Sequence, residues 1–275
     1  MSSLKRSESK KLHYKKYLYK LRIGNPLAAI FRTERQRGGK LEFAKARIEE
    51  FFEQHRNGEA ITSTRYRTLV TISFQQLLDA DRIYKSLRGA TDYLLRCEHQ
   101  TIIIYTNNLT TLTKLSKNIR TDDIELWEPS KEVVSFLVAN ANTIIIDKPT
   151  DFPYKITFGR KPGKAELADW IDNNSDKVKI GNILLENLRC ETRWIQGQYF
   201  YVKDEKIIFL LKIMLGDNIG KIDMNRVYTQ MARMCLDKII GYTASPALHK
   251  EYSNFTLSAG KLKPKLSAHQ STFMI

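Results

Sequence analysis

The stretch Thr101-Ile102-Ile103-Ile104-Tyr105 is a short, continuous run of β-branched and aromatic residues, which predicts a buried strand. Strand-like and helix-like patterns alternate on both sides of it, from residue 64 to residue 147. Further apolar runs predict strands at Ile124–Trp127 and Thr143–Ile146, with helical patterns between them. The alternation indicates an α+β fold in which helices pack on a mixed β-sheet, and it allows a second, smaller α+β lobe.

Two local patterns predict individual elements of secondary structure. Apolar residues at helical spacing predict a long helix from Gln76 to Arg96, with Gly89 weakening its middle. Farther along, the apolar runs Tyr199–Val202 and Ile207–Leu211 flank four charged residues, which predicts a β-hairpin with a charged turn.

A seam rich in proline and charge around residues 148–153 marks a domain boundary, with Pro149 and Pro153 inside it. The predicted organisation is a flexible basic arm (1–13), an N-terminal α/β domain (14–148), a C-terminal α+β lobe (149–240) and an irregular basic tail (241–275).

Composition excludes several classes of protein. With 275 residues of which 42% are hydrophobic, the chain can bury a sizeable core. Its only cysteines, Cys97, Cys190 and Cys235, are far apart, which favours a reducing compartment and an intracellular, cytoplasmic location or a place in a virus particle. No metal-ligand motif is present and no apolar run approaches the length of ~20 residues that a membrane helix needs, so neither a cofactor nor a membrane is an expected partner.

The positive charge is concentrated at the ends of the chain. Residues 1–47 carry 14 basic and 3 acidic side chains, whereas residues 48–249 carry 27 and 26, and the whole chain has a net charge of +15. Such asymmetry favours a polyanionic partner that meets the N-terminal region, because cations that neutralise phosphates release counterions. A merely solubilising arm is the alternative.

Basic and aromatic residues are interleaved in Lys15-Lys16-Tyr17-Leu18-Tyr19-Lys20-Leu21-Arg22, in Arg65-Tyr66-Arg67 and in Tyr154-Lys155. Cations beside rings are typical of proteins that bind single strands. In the first segment the tyrosines alternate away from the lysines, so the rings can belong to the core while the cations contact phosphates, or the strand can simply have a solvated face. The predicted nucleic-acid contacts are Lys15, Lys16, Lys20, Arg22, Arg32, Arg35, Arg37, Lys40, Arg65, Arg67, Arg160, Lys161 and Lys164.

The last three of these contacts belong to Gly159-Arg160-Lys161-Pro162-Gly163-Lys164, a basic glycine loop between a predicted strand and a predicted helix. Backbone N–H groups at a helix N-terminus can bind phosphate. The loop resembles a P-loop only loosely, because the glycines are too close together and Ala165 replaces the hydroxyl residue that would hold magnesium. An ordinary exposed turn is the alternative.

These observations give three hypotheses about function. The first is a non-enzymatic protein that binds nucleic acid, either DNA or RNA, through phosphate contacts of its basic N-terminal region. The second is a structural component of a virus particle or a large nucleoprotein complex, whose partners are further subunits. The third is a metal-dependent nuclease, which requires Asp147, Asp204 and Glu205 to converge.

Overall fold

The computed structural model describes residues 4–32, 41–65, 68–227, 255–258 and 261–264. It confirms the α+β class, because each of two mixed sheets carries helices. The chain divides into two compact units, Met1–Ala141 and Asn142–Ile275. The division lies upstream of the predicted boundary at residue 148 because the strand at Thr143–Ile146 pairs within the second unit.

The first unit contains a five-stranded sheet, a small hairpin and four α-helices in its described part. The strands are β1 (Lys5–Glu8), β2 (Tyr19–Gly24), β3 (Thr62–Arg65), β4 (Thr68–Thr71), β5 (Tyr93–Glu98), β6 (Thr101–Thr106) and β7 (Ile124–Glu128). The helices are α1 (Glu42–Arg56), α2 (Phe74–Arg88), α3 (Leu109–Asn118) and α4 (Lys131–Ala139), and a 3-10 helix spans Pro26–Phe31. The large sheet has the strand order β1-β7-β2-β6-β5, and β3 pairs with β4.

The core of the first unit lies on one face of this sheet. Alternate residues of the central strands, such as Leu21 on β2 and Ile104 on β6, are fully buried there. Apolar residues of α1, α2 and α3, including Phe51 and Leu77, belong to the same core cluster. The predicted buried strand at residues 101–105 is therefore confirmed as β6.

The predicted helix over Gln76–Arg96 is only half correct. Helix α2 begins with a capping box, in which the Ser73 hydroxyl accepts from the Gln76 backbone N–H and the Gln76 side chain accepts from the Ser73 N–H. It ends at Arg88, with Gly89 as its C-cap. The residues after Gly89 form β5, whose alternate side chains Tyr93 and Cys97 pack against the core.

Residues 5–8 lie within the predicted flexible arm, but they form β1, which pairs in parallel with β7. The chain after β1 is also anchored, since Ser9 and Leu12 are buried. Residues 5–8 therefore form an edge strand of the sheet and are not part of a flexible arm.

The second unit contains a second five-stranded sheet and a separate pair of strands. Its strands are β8 (Thr143–Ile146), β9 (Tyr154–Phe158), β10 (Val178–Lys179), β11 (Tyr199–Val202), β12 (Ile219–Val227), β13 (Phe255–Ser258) and β14 (Lys261–Pro264). The helices in the described part of this unit are α5 (Ala165–Asp172), α6 (Asn182–Arg189) and α7 (Glu205–Leu215), followed by a 3-10 turn at Gly216–Asn218. The large sheet has the order β10-β11-β9-β12-β8, while β13 and β14 pair within the predicted irregular tail.

The predicted hairpin across residues 199–211 is wrong. The strand β11 is followed by the helix α7, because the Asp204 carboxylate accepts a hydrogen bond from the Ile207 backbone N–H at 3.1 Å and caps the helix. Glu205 in the first turn adds a favourable charge at the helix N-terminus. The charged residues therefore start a helix instead of forming a turn.

We expect Asp204→Ala to destabilise the second unit by about 1 kcal/mol, because the cap hydrogen bond to Ile207 is lost. Asp204→Ser should keep most of the stability, since a serine hydroxyl can accept the same bond. Urea unfolding of both variants checks the prediction, and equal losses for alanine and serine would contradict it.

Candidate nucleic-acid interface

The face of the first sheet opposite helices α1, α2 and α3 carries several of the predicted contacts. On this face Lys20 lies opposite Tyr105 on one neighbouring strand and Trp127 on the other. The Lys20 Nζ lies 3.7 Å from the centroid of the Trp127 ring, and burial lowers the pKa of this lysine. Lys20 therefore makes a cation–π contact with Trp127 on this face of the sheet.

A tight turn between β1 and β2 covers part of the same face. His13 and Tyr17 exchange backbone hydrogen bonds of 2.8 and 2.9 Å, and the two residues at the tip, Tyr14 and Lys15, have φ angles of 52° and 59°. The Tyr14 ring meets Tyr105 edge-on at 5.0 Å, and Tyr17 is buried. The tyrosine at position 17 is thus a packing residue, and Lys15 is exposed at the tip of the turn.

The left-handed conformation of Lys15 predicts an unusual order of stabilities. We expect Lys15→Gly to be more stable than Lys15→Ala by about 1 kcal/mol, because only glycine adopts a positive φ without steric cost. Chemical unfolding of the two variants tests this, since both remove the same charge. A more stable alanine variant would show that the turn does not hold this conformation.

Most of the basic side chains around this face are paired with carboxylates. The pairs are Lys16 with Asp92 at 2.7 Å, Lys5 with Glu125 at 3.5 Å, Arg6 with Glu128 at 2.6 Å, Arg22 with Asp123, and Arg96 with Glu98. The hydrogen bond from Lys16 also lowers the pKa of Asp92. Four cations of the described N-terminal segment, Lys5, Arg6, Lys16 and Arg22, are therefore held in ion pairs.

The glycine loop at residues 159–164 uses its backbone amides internally. The N–H groups of Gly159 and Lys161 donate to the backbone and side-chain oxygens of Asn218, at 2.6 and 2.9 Å. The Lys161 ammonium pairs with Asp217. Of the predicted contacts in this loop, Arg160 is exposed and Lys164 lies 3.4 Å from the Met214 carbonyl oxygen, so the loop offers side-chain cations but no cradle of amides at these positions.

The remaining predicted contacts are only partly described. Arg32 is exposed after the 3-10 helix. Arg65 belongs to β3, whereas Arg35, Arg37, Lys40 and Arg67 lie outside the described residues. The described contacts thus fall in both units, with Lys15 to Arg32 in the first and Arg160 to Lys164 in the second.

The face of the second sheet opposite helices α5, α6 and α7 has a different character. The strand register places side chains there in two rows that run across the strands. One row is Lys179, Tyr201, Lys155 and Asp223, and the other is Tyr199, Thr157 and Lys221.

The aromatic rings of this second face reach the surface. Tyr199 is 46% exposed, and the Lys155 Nζ lies 3.5 Å from the centroid of its ring. The rings of Tyr199 and Tyr201 meet edge-on at 5.5 Å, and burial, together with Tyr199, raises the pKa of Tyr201. Lys221 pairs with the buried Asp223 at 2.7 Å, and Lys155 and Lys179 lie in the same row as Tyr201.

Sequence patterns identified only part of this second face. The sequence pattern of Tyr154-Lys155 predicted a cation beside an aromatic ring. In the structure Tyr154 packs against the core, whereas Lys155 lies on the opposite face of the sheet. The relevant signal is the alternation Tyr199-Phe200-Tyr201-Val202, which puts both tyrosines on one face. Their lysine neighbours are set by strand pairing, which the local sequence does not encode.

Two of the acidic residues required by the nuclease hypothesis, Asp204 and Glu205, have structural roles. Asp204 caps α7, and Glu205 accepts a hydrogen bond from the Tyr154 hydroxyl at 3.1 Å. Within the part of the chain that the structure describes, no cluster of three or more His, Cys, Asp or Glu side chains is placed to hold a metal ion. In the same residues, no helix combines the length and the hydropathy needed to span a membrane.

The two described cysteines differ in exposure. Burial raises the pKa of Cys97 to about 12, whereas Cys190 is exposed. In a Cys235→Ser background, we expect a thiol reagent near neutral pH to modify Cys190 in the folded protein and Cys97 only after unfolding, because the thiolate is the reactive form. Mass mapping of the modified sites checks this, and rapid modification of folded Cys97 would contradict its packing against the core.

Comparison with known proteins gives one local similarity. No protein family matches the chain, and no solved structure is significantly similar to it. A stretch of 46 residues is 52% identical to part of DNA topoisomerase 1 of Aquifex aeolicus and, over the same length, 56% identical to part of DNA topoisomerase 1 of Buchnera aphidicola from Schizaphis graminum. It covers 17% of this chain, but only 8% and 5% of those two enzymes, so the similarity is confined to a segment.

This similarity overturns the functional hypotheses drawn from composition. The interpretation as a non-enzymatic protein acting through phosphate contacts of its N-terminal region is wrong, as are the virus-particle and nuclease alternatives, because the relatives are DNA topoisomerases. The ion pairs of the first unit give the physical reason why the charge count over residues 1–47 misled: Asp92 and Asp123, the partners of Lys16 and Arg22, lie outside that range.

Proposed function

We propose that the protein binds DNA and that a topoisomerase-related segment contributes to this binding. The observation that carries the proposal is the 46-residue stretch about half identical to two bacterial DNA topoisomerases. The net charge of +15 supports it, because DNA is a dense polyanion and its release of counterions favours a basic ligand.

The proposal is tested by fluorescence anisotropy with the full chain and labelled single-stranded DNA, duplex DNA and RNA of matched sequence. If about six phosphates are neutralised, affinity for DNA should fall by about a thousandfold between about 50 and 200 mM salt. The absence of DNA binding at the lower salt concentration would refute the proposal. A clear preference for RNA over both forms of DNA would also refute it.

Within this function, the exposed cation of the glycine loop is a candidate phosphate contact. We expect Arg160→Gln to lower the steepness of the salt dependence by about 0.9, the contribution of one phosphate contact. Lys161→Gln is the matched control, because this lysine is paired with Asp217. Equal slopes for Arg160→Gln and the unaltered protein would exclude Arg160 as a contact.

A further inference from the structure

The two sheet faces that lie opposite the described helices differ in how much of their aromatic surface is covered. On the first face the ring of Tyr105 is 7% exposed, because the turn at residues 13–17 lies against it. On the second face Tyr199 is 46% exposed, and its neighbour Tyr201 is half-buried. The second face therefore presents aromatic surface to solvent, whereas the first has already covered part of its own.

Strand pairing places lysine residues beside these rings. Tyr201 on β11 lies between Lys179 on β10 and Lys155 on β9. Directly opposite residues on paired strands have Cβ atoms about 5 Å apart, so both ammonium groups can reach the space above the rings. The acid of the same row, Asp223, is buried and pairs with Lys221.

We infer that the face formed by Tyr199, Tyr201, Lys155 and Lys179 is a binding site for single-stranded DNA, an inference that rests on the proposed DNA-binding function. Exposed tyrosine rings on a sheet form a platform on which unpaired bases stack, and flanking lysines neutralise the phosphates. A duplex keeps its bases stacked on one another and offers no free base face to such a platform. The site therefore selects single strands over duplex.

The ring of Tyr199 is the centre of this platform. Lys155 lies over the ring at 3.5 Å, which places an ammonium group beside any base that stacks on the exposed part of Tyr199. Stacking on an aromatic side chain contributes about 1–3 kcal/mol per base, so loss of one ring should weaken single-strand binding by about tenfold or more.

The test measures binding of a labelled oligothymidine and of a duplex to the full chain carrying Tyr199→Leu, Tyr199→Phe or Phe43→Leu. Tyr199→Leu should weaken binding of the single strand about tenfold and leave binding of the duplex unchanged. Tyr199→Phe keeps the ring and should bind normally. Phe43→Leu is the matched control, since it removes another exposed ring, 57% exposed on α1 of the first unit.

Direct contact is measured by photo-crosslinking of a bromodeoxyuridine oligonucleotide, with the attachment site mapped by mass spectrometry. A crosslink on β11 supports the site. Near-ultraviolet circular dichroism of Tyr199→Leu shows whether the variant is folded, and Tyr199→Phe serves as a second variant with minimal change to packing.

The outcomes separate this inference from the function on which it rests. If the unaltered protein binds DNA and Tyr199→Leu binds the single strand equally well, the site is wrong while the proposed function stands. An equal loss of binding of the single strand and of the duplex would show a general charge effect and would also overturn the site. Failure of the unaltered protein to bind any DNA would overturn the proposed function itself.

Discussion

Replacing Asp79 by alanine is expected to lower the free energy of unfolding of the first unit by about 2–4 kcal/mol. This carboxylate lies within α2 and is only 1% exposed. It accepts hydrogen bonds from the Gln75 amide and the Arg82 guanidinium, both at 2.9 Å, and from the Arg120 backbone N–H at 3.2 Å to each oxygen. Asp79 thereby ties α2 to the segment that leads into β7.

The size of this effect follows from what the substitution leaves behind. The Arg120 N–H loses its acceptor, and an unsatisfied buried donor costs about 1–3 kcal/mol. Loss of the bonds from Gln75 and Arg82 adds to it. The Arg82 side chain is 34% exposed and can regain water, which keeps the total below the cost of breaking a fully buried ion pair.

The measurement is urea unfolding followed by the fluorescence of Trp127, in a background in which Trp170 and Trp194 are phenylalanine. Trp127 belongs to the first unit and the other two tryptophans to the second, so the signal reports one unit only. Asp81→Ala on the same helix is the control and should cost less than about 1 kcal/mol, since its ion pair with Lys85 lies near the surface. Equal losses for the two variants would contradict the structural role of Asp79.

The fold class could be predicted because it depends on local hydrophobic patterns. The run at residues 101–105 is continuous, and it forms β6, an interior strand of the first sheet. The helix predicted through Gly89 failed because Leu87 and Tyr93 fit a helical stripe, while Tyr93, Leu95 and Cys97 also fit the period of a strand. The helical and the strand periods of apolar residues overlap at this point. The helix ends because Gly89 is its C-cap.

The candidate sites were harder to predict because they depend on partners far away in the sequence. Lys16 and Arg22 are prominent cations in the sequence, but their carboxylate partners Asp92 and Asp123 lie on other segments of the chain. Strand register likewise determines which lysines flank Tyr201. Local composition contains neither kind of information, which explains why a charge count indicated the N-terminal region.

Substitution of Asn218 by alanine should destabilise the second unit by about 2–3 kcal/mol, because three hydrogen bonds to the loop at residues 159–164 are lost. The side chain is 4% exposed. Its Oδ1 accepts from the Lys161 backbone N–H at 2.9 Å, and its Nδ2 donates to the carbonyl oxygens of Lys161 and Pro162 at 3.3 and 3.1 Å. One side chain thus satisfies both polarities of the loop backbone.

Asn218→Asp distinguishes this explanation from a simple loss of volume. Aspartate has nearly the same shape and keeps the acceptor for Lys161 N–H, but it turns a carboxylate oxygen toward two carbonyl oxygens. We therefore expect Asn218→Asp to be at least as destabilising as Asn218→Ala near neutral pH, whereas the exposed control Asn173→Ala should cost little. Trp170 fluorescence during urea unfolding, with Trp127 and Trp194 replaced by phenylalanine, reports this unit. Stability close to that of the unaltered protein for Asn218→Asp would show that the amide donor is unimportant and that the loop is held by other contacts.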